Sequence, residues 1–173
     1  MKKLLFGLIL STALFACKNN EEKAVTEKQV NVDESIQHLY KPSYTDNWKI
    51  GDKKNVLLAE ELHKYVLAKD FKGIGDMISD TATLWNDDGT TIKGKTAILE
   101  LFEKTFSGIT LKNYNLQGII PVVGENGQQW VDIWDEADVV TSDGKSQKVQ
   151  WVDAINFENG KITHMIEFTK VVK

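Results

Sequence analysis

The chain has no arginine: all 21 of its basic residues are lysine, set against 25 aspartates and glutamates, and its formal net charge is −4. Forked guanidinium donors are the preferred readers of phosphates and base edges, so their absence from an acidic chain argues against a nucleic-acid partner. Cysteine is nearly absent as well. Cys17 stands alone, which excludes an intramolecular disulfide and leaves the fold to rest on its core. No HExxH, CxxC or GxSxG pattern occurs, and Gly73-Ile74-Gly75 lacks the strand-to-helix setting that a phosphate-cradling loop needs. No cofactor is expected. The one long apolar run, Leu4 to Phe15, is broken by Gly7, Ser11 and Thr12 and is too short for a stable bilayer span.

A hydrophobic content of 42% over 173 residues suits one domain with an appendage. The appendage is N-terminal. Met1-Lys2-Lys3, the apolar run and the small residue Ala16 are the parts of a secretory signal. Leu14-Phe15-Ala16-Cys17 also resembles the lipobox of bacterial lipoproteins. That resemblance implies removal of residues 1–16, acylation of Cys17, and attachment to a membrane of the bacterial cell envelope. Residues 17–35 are rich in Lys, Glu, Asn and Gln without aromatics or glycine, a composition that reads as a disordered tether. Glu21-Glu22 just after the anchor resembles export signals of surface-exposed lipoproteins in Bacteroidota. Residues 36–54 carry Tyr40, Pro42, Tyr44 and Trp48 without a helical period and read as an ordered arm lying on the domain, residues 55–173.

Within that domain Leu58, Leu62, Tyr65 and Val66 recur at spacings of three and four, predicting a helix over Val56 to Lys69. A shorter helix follows from Phe71 to about Ile78. Thr81 to Trp85 is β-prone, Asp87-Asp88-Gly89 is a turn, and Gly94 precedes a third helix striped by Ile98, Leu101, Phe102 and Phe106. From Leu111 the pattern alternates and is punctuated by Asn126-Gly127, Asp143-Gly144 and Asn159-Gly160, each a preferred pair for a two-residue hairpin turn. The class is therefore α+β, with three N-terminal helices on one face of a curved, cone-shaped antiparallel sheet. The segments "KDFKGIGDMISDTATLW", "TIKGKTAI" and "NFENGKITHMIEF", in this order over Asn55 to Val172, resemble the nuclear transport factor 2-like superfamily. That superfamily includes ketosteroid isomerase and polyketide-cyclase-like domains, and the resemblance implies a small-molecule pocket inside the cone.

The tetrapeptide Gln-Trp-Val-Asp occurs twice, at residues 129–132 and 150–153. If each glycine pair is a two-residue turn, Trp134 lies opposite Asp153, Asp132 opposite Ile155, Trp130 opposite Phe157, and Ile155 opposite His164. One face then collects Trp130, Asp132, Trp134, Trp151, Asp153 and His164. Leu62 and Tyr65 of the first helix would roof this pocket, with Trp85 at its side. Carboxylates beside tryptophan on a buried face have raised pKa values, so Asp153 and His164 are the candidate proton carriers. Aspartates hydrogen-bonded to water and a histidine tautomer satisfied by a carbonyl would explain the same residues structurally. Asp132, Glu136, Asp153 and His164 could gather at a metal, but such spacing arises by chance on an acidic sheet, and no metal is expected. His38 in the arm and His63 beside the helical stripe read as solvated.

The ketosteroid isomerase resemblance places Leu62 where that enzyme has its oxyanion-binding tyrosine and Asn86 where it has its general base, and only Asp153 matches. The leading expectation is an envelope-anchored domain that binds a small, partly apolar molecule without assured turnover. Its rivals are an acid–base enzyme of isomerase, cyclase or dehydratase type, and a homodimer module using one sheet face.

Overall fold

The computed structural model describes residues 39–172, and the signal segment, Cys17, the tether and His38 lie outside these described residues. The first helix, α1 (Lys53–Ala68), starts where the Asp52 carboxylate accepts a hydrogen bond from the Lys54 amide at 2.9 Å. It stops where Lys69 turns into the left-handed region at φ 56°. Asp70 then caps α2 (Phe71–Met77) by accepting from the Gly73 amide at 2.8 Å. The third helix, α3 (Lys95–Ser107), has no side-chain cap; Gly94 introduces it at φ 88°. Among the described residues no helix is long and apolar enough to cross a membrane.

Seven strands form one curved sheet: β1 (Lys49–Ile50), β2 (Ile78–Trp85), β3 (Thr91–Lys93), β4 (Ile109–Val123), β5 (Gln129–Thr141), β6 (Ser146–Glu158) and β7 (Lys161–Val171). Their spatial order is β1-β4-β5-β6-β7-β2-β3. All neighbours are antiparallel except β2 and β7, which run parallel, as a strand reached through helices rather than a hairpin can. Strand β4 carries two register shifts, between Lys112 and Asn115 and between Leu116 and Gly118, and such bulges bend a strand and deepen the curvature. In the arm, β1 pairs with the far end of β4, and Tyr44 meets Trp130 edge to face at a centroid distance of 5.8 Å.

The core lies between the helices and one sheet face. Ala59 and Leu62 of α1, Ile74 of α2, and Ile98 and Phe102 of α3 pack on Val131, Ile133, Ile155, Phe157, Ile162 and Met165. On β5 these core residues are the odd-numbered ones, which overturns the expected register. At Asp143-Gly144 only Gly144 has positive φ, 83°, whereas a two-residue turn of the favoured type needs both residues there. The Gly144 amide donates to the Thr141 carbonyl and the Thr141 amide to the Lys145 carbonyl, both at 2.9 Å, closing a three-residue loop. The extra loop residue slips the ladder by one, so Trp134 faces Val152, and Asp153 faces Ile133. The Asn126-Gly127 loop closes the same way, with Gly124 and Gln128 bonded across it. Only Asn159-Gly160, with φ of 52° and 74°, is a two-residue turn of the expected kind. Phe157 and Ile162 pair as expected, but Thr163 is then bulged out, so His164 faces Asn156 and Asp153 faces Glu167.

Candidate functional site

A one-residue slip exchanges the faces of a strand, so the expected pocket separates into two groups. Leu62, Trp151 and Asp153 line a cavity between the helices and the sheet. Trp130, Asp132, Trp134 and His164 lie on the opposite, outer face. There Trp134 covers Gly118, where an added Cβ would come within 3.2 Å of the indole. Trp85 is 43% exposed and meets His164 edge to face at 4.5 Å, and it is outside the cavity. Tyr65 is outside it too: its hydroxyl donates to Glu61 at 2.9 Å, and its ring covers Gly73. Asp153 and His164 therefore do not cooperate. The His164 Nδ1 is hydrogen-bonded to the Thr83 hydroxyl, and burial holds its pKa below the usual histidine value. Asp132 is raised by burial alone, but on the outer face. Of the ketosteroid isomerase positions, Leu62 and Asp153 border the cavity, while Asn86 sits in the exposed β2–β3 turn with its amide directed at Thr90.

Open solvent at its mouth included, the space between the helices and the sheet amounts to about 680 Å³. Its walls are apolar, with Leu62 and Val66 of α1, Leu84 of β2, Phe102 and Phe106 of α3, and Ile155 and Met165 of the sheet. Its polar groups converge at one end, and His63 is at their centre. The spacing Ala59, Leu62, His63, Val66 is a single α1 stripe facing the sheet, so His63 is not solvated as its sequence position suggested; its side chain is 16% exposed. The His63 Nδ1 lies 2.9 Å from the Ala59 carbonyl oxygen, which only accepts, so this nitrogen carries a proton. That leaves Nε2 facing two carboxylates, Asp135 Oδ2 at 3.2 Å and Asp153 Oδ2 at 3.6 Å. The Tyr114 hydroxyl donates to Asp135 Oδ2 at 2.9 Å. Asp135 and Asp153 stand diagonally on neighbouring strands because Ile133 pairs with Asp153 and Asp135 with Trp151.

Burial by itself would lower the His63 pKa, but hydrogen bonds to Asp135 and Asp153, the Ala59 carbonyl and the Asp153 charge outweigh it and raise the imidazole to about 10. Burial raises Asp153, and His63 offsets this only in part. We assign the firm ion pair to His63 and Asp135, the shorter contact with the more buried acid. Asp153, at the longer contact, is the carboxyl that burial holds above its ordinary pKa. Burial and the neighbouring Asp153 charge push Glu167, across the ladder on the same face, up to about 7. Burial beside Asp135 pushes the Tyr114 phenol upward, so it stays a proton donor in that hydrogen bond. Asp135 and Asp153 each keep one buried oxygen without a protein hydrogen-bond partner. The atoms of His63, Asp135 and Asp153 are close enough together to ligate one cation.

Asp135, Glu167, Tyr114 and the role of His63 were missed from the sequence. The register error hid the first, since it put the even-numbered acids of β5 inside. The available signal was the stripe of α1, which continues through His63, and a buried-strand alternation that holds Val131, Ile133 and Ala137 in phase with Asp135.

Among curated proteins none matches the sequence. Among solved structures, an LEH-like epoxide hydrolase from M. tuberculosis is similar, with a TM-score of 0.56 and 13% identity over 68% of this chain and 84% of that one. A protein from Shewanella denitrificans OS-217 assigned as a SnoaL-like polyketide cyclase has a TM-score of 0.56 and 9% identity over 69% and 92%. A protein with a ketosteroid isomerase-like fold from Catenulispora acidiphila DSM 44928, in complex with trimethylamine, has a TM-score of 0.53 and 12% identity over 64% and 83%. At these identities the likeness is one of fold. The SnoaL-like domain family matches residues 59–165, more than half of the sequence. The chain thus belongs to the SnoaL-like domain family.

Proposed function

We propose that the cavity binds a small, largely apolar molecule and moves a proton on it, as an acid–base enzyme of the isomerase, cyclase or dehydratase type. The observation that carries this reading is the placement of Asp153 at the polar end of an apolar cavity, 3.6 Å from a histidine already paired with Asp135. In this reading Asp153 gives or takes the proton. His63 holds compensating charge beside it, and Asp135, the Ala59 carbonyl and Tyr114 keep the imidazole and its partner in place. With His63 committed to Asp135 by the shorter contact, Asp153 is the acid left to exchange a proton with the ligand.

A test that requires no prior substrate is hydrogen–deuterium exchange at the carbon next to the carbonyl of a panel of cyclic ketones in heavy water, followed by proton NMR. Exchange above background, abolished by Asp153→Asn and kept by His164→Ala, is the expected outcome. Ketones that bind without exchanging would leave a binding domain and remove the enzyme.

Two features of the setting are part of the same proposal. The lipobox-like Leu14-Phe15-Ala16-Cys17 supports anchoring of the cavity to a bacterial envelope membrane. Expressed with its own N-terminus in a Gram-negative host, the protein should partition with membranes, and Cys17→Ser should release or stall it. The outer face exposes Trp85, Trp134, Val152 and Phe168 side by side, and a self-complementary twofold contact between two copies would cover them. Phe168→Lys should then convert a dimer to a monomer in light scattering; a wild-type monomer would refute the contact.

A further inference from the structure

The polar end of the cavity has an unbalanced set of charges. Among the described residues that line it, Asp135, Asp153 and Glu167 are carboxylates, His63 is the one cationic group, and lysine is absent although the chain has 21. His63 is committed to Asp135 at 3.2 Å and reaches Asp153 only at 3.6 Å. Glu167, the cross-strand neighbour of Asp153, has the Thr169 hydroxyl as a donor at 3.2 Å and no cation. One oxygen of Asp153 and one of Asp135, whose side chain is 3% exposed, are buried without a partner. Buried carboxyls in this state are costly unless protonated or joined by a positive group.

The neighbouring wall suits a positive group with an apolar body. Trp151, two residues from Asp153 on β6, also lines the cavity, and indole is the aromatic side chain that organic cations prefer. Beyond it Val66, Phe102, Phe106 and Met165 leave the rest of the volume apolar. An anionic ligand would face three carboxyls with one imidazolium to offset them, and a metal ion would leave the apolar volume unused.

We infer that the cavity selects an organic cation: a protonated amine on a small apolar body, its ammonium seated against Glu167, on the Asp153 and Trp151 side of the cavity. This rests on the small-molecule reading above and narrows it to a ligand class. In an acid–base reaction Glu167 would anchor the ammonium and leave Asp153 to exchange the proton.

The test uses the full chain and three ring compounds of similar size: N,N-dimethylcyclohexylamine, cyclohexyl methyl ketone and cyclohexanecarboxylate. Titration calorimetry at neutral pH should show the amine binding roughly tenfold or more tighter than the ketone, the gain of one charge-assisted contact, with the carboxylate weakest. Glu167→Gln should lower amine affinity by a similar factor and change ketone affinity by much less. The wild-type comparison stands alone if that variant folds poorly. Equal affinity for amine and ketone, or tightest binding of the carboxylate, would overturn the cationic-ligand inference and leave the small-molecule cavity standing. Absence of binding by all three would overturn both.

Discussion

Replacing His63 by glutamine removes the positive charge from between Asp135 and Asp153 while keeping a side chain of similar reach. The imidazole is raised from 6.5 to about 10, which corresponds to roughly 5 kcal/mol of preference for the protonated form in the folded chain. The side chain is 16% exposed, so solvent screening reduces this, and breaking a buried pair by removing one partner costs about 3–5 kcal/mol in general. We expect His63→Gln to lose about 3–4 kcal/mol near pH 6.5, a large share of a single domain's stability. Because the folded pKa lies above the unfolded one, the wild-type advantage is full below 6.5 and fades as pH rises through about 10. Urea unfolding of both proteins across that window, with unchanged slopes, measures it. Adding Asp135→Asn should recover part of the loss, since the orphaned carboxylate is then gone. A gap below about 1 kcal/mol near neutrality, or one equally large above pH 10, would show that His63 is not held as a cation between these acids.

Glu167 should behave in the opposite sense. Its rise from 4.5 to about 7 is a penalty absent below the lower value and full above the upper one, so Glu167→Gln should stabilise by about 1–3 kcal/mol in urea melts well above pH 7 and by nothing near pH 4. Ile133→Ala, in the core at 1% exposure, should cost about 2–5 kcal/mol, whereas Trp134→Ala, 41% exposed on the outer face, should cost clearly less despite the larger side chain. The reverse order by chemical denaturation would restore the register that the structure rejects. Gly94→Ala should lower stability by about 1–3 kcal/mol in thermal melts because φ 88° with ψ 144° disfavours any side chain, even though the nearest atom to an added Cβ is 3.7 Å away.

Local sequence determined the elements. Leu58, Leu62 and Val66 at helical spacing, Gly94 before α3, and alternating strands between glycine turns suffice to lay out three helices and the main part of the sheet. These signals are short-range, so they survive being read without the fold. The site was legible in part: Asp153, Leu62 and Trp151 border the cavity. What the tertiary structure alone decided is which side of each strand faces the helices. Asp143-Gly144 is compatible both with a two-residue turn and with a three-residue loop whose glycine alone is left-handed, and these differ by one residue in register. The difference is settled by burial at a distance: Val131, Ile133, Ile155 and Met165 meet Leu62 and Ile74 only in the second arrangement. The same slip carries Asp135 inward to His63 and leaves Asp132, Trp134 and His164 on the outer face, because side chains alternate along a strand and a shift of one residue exchanges every partner.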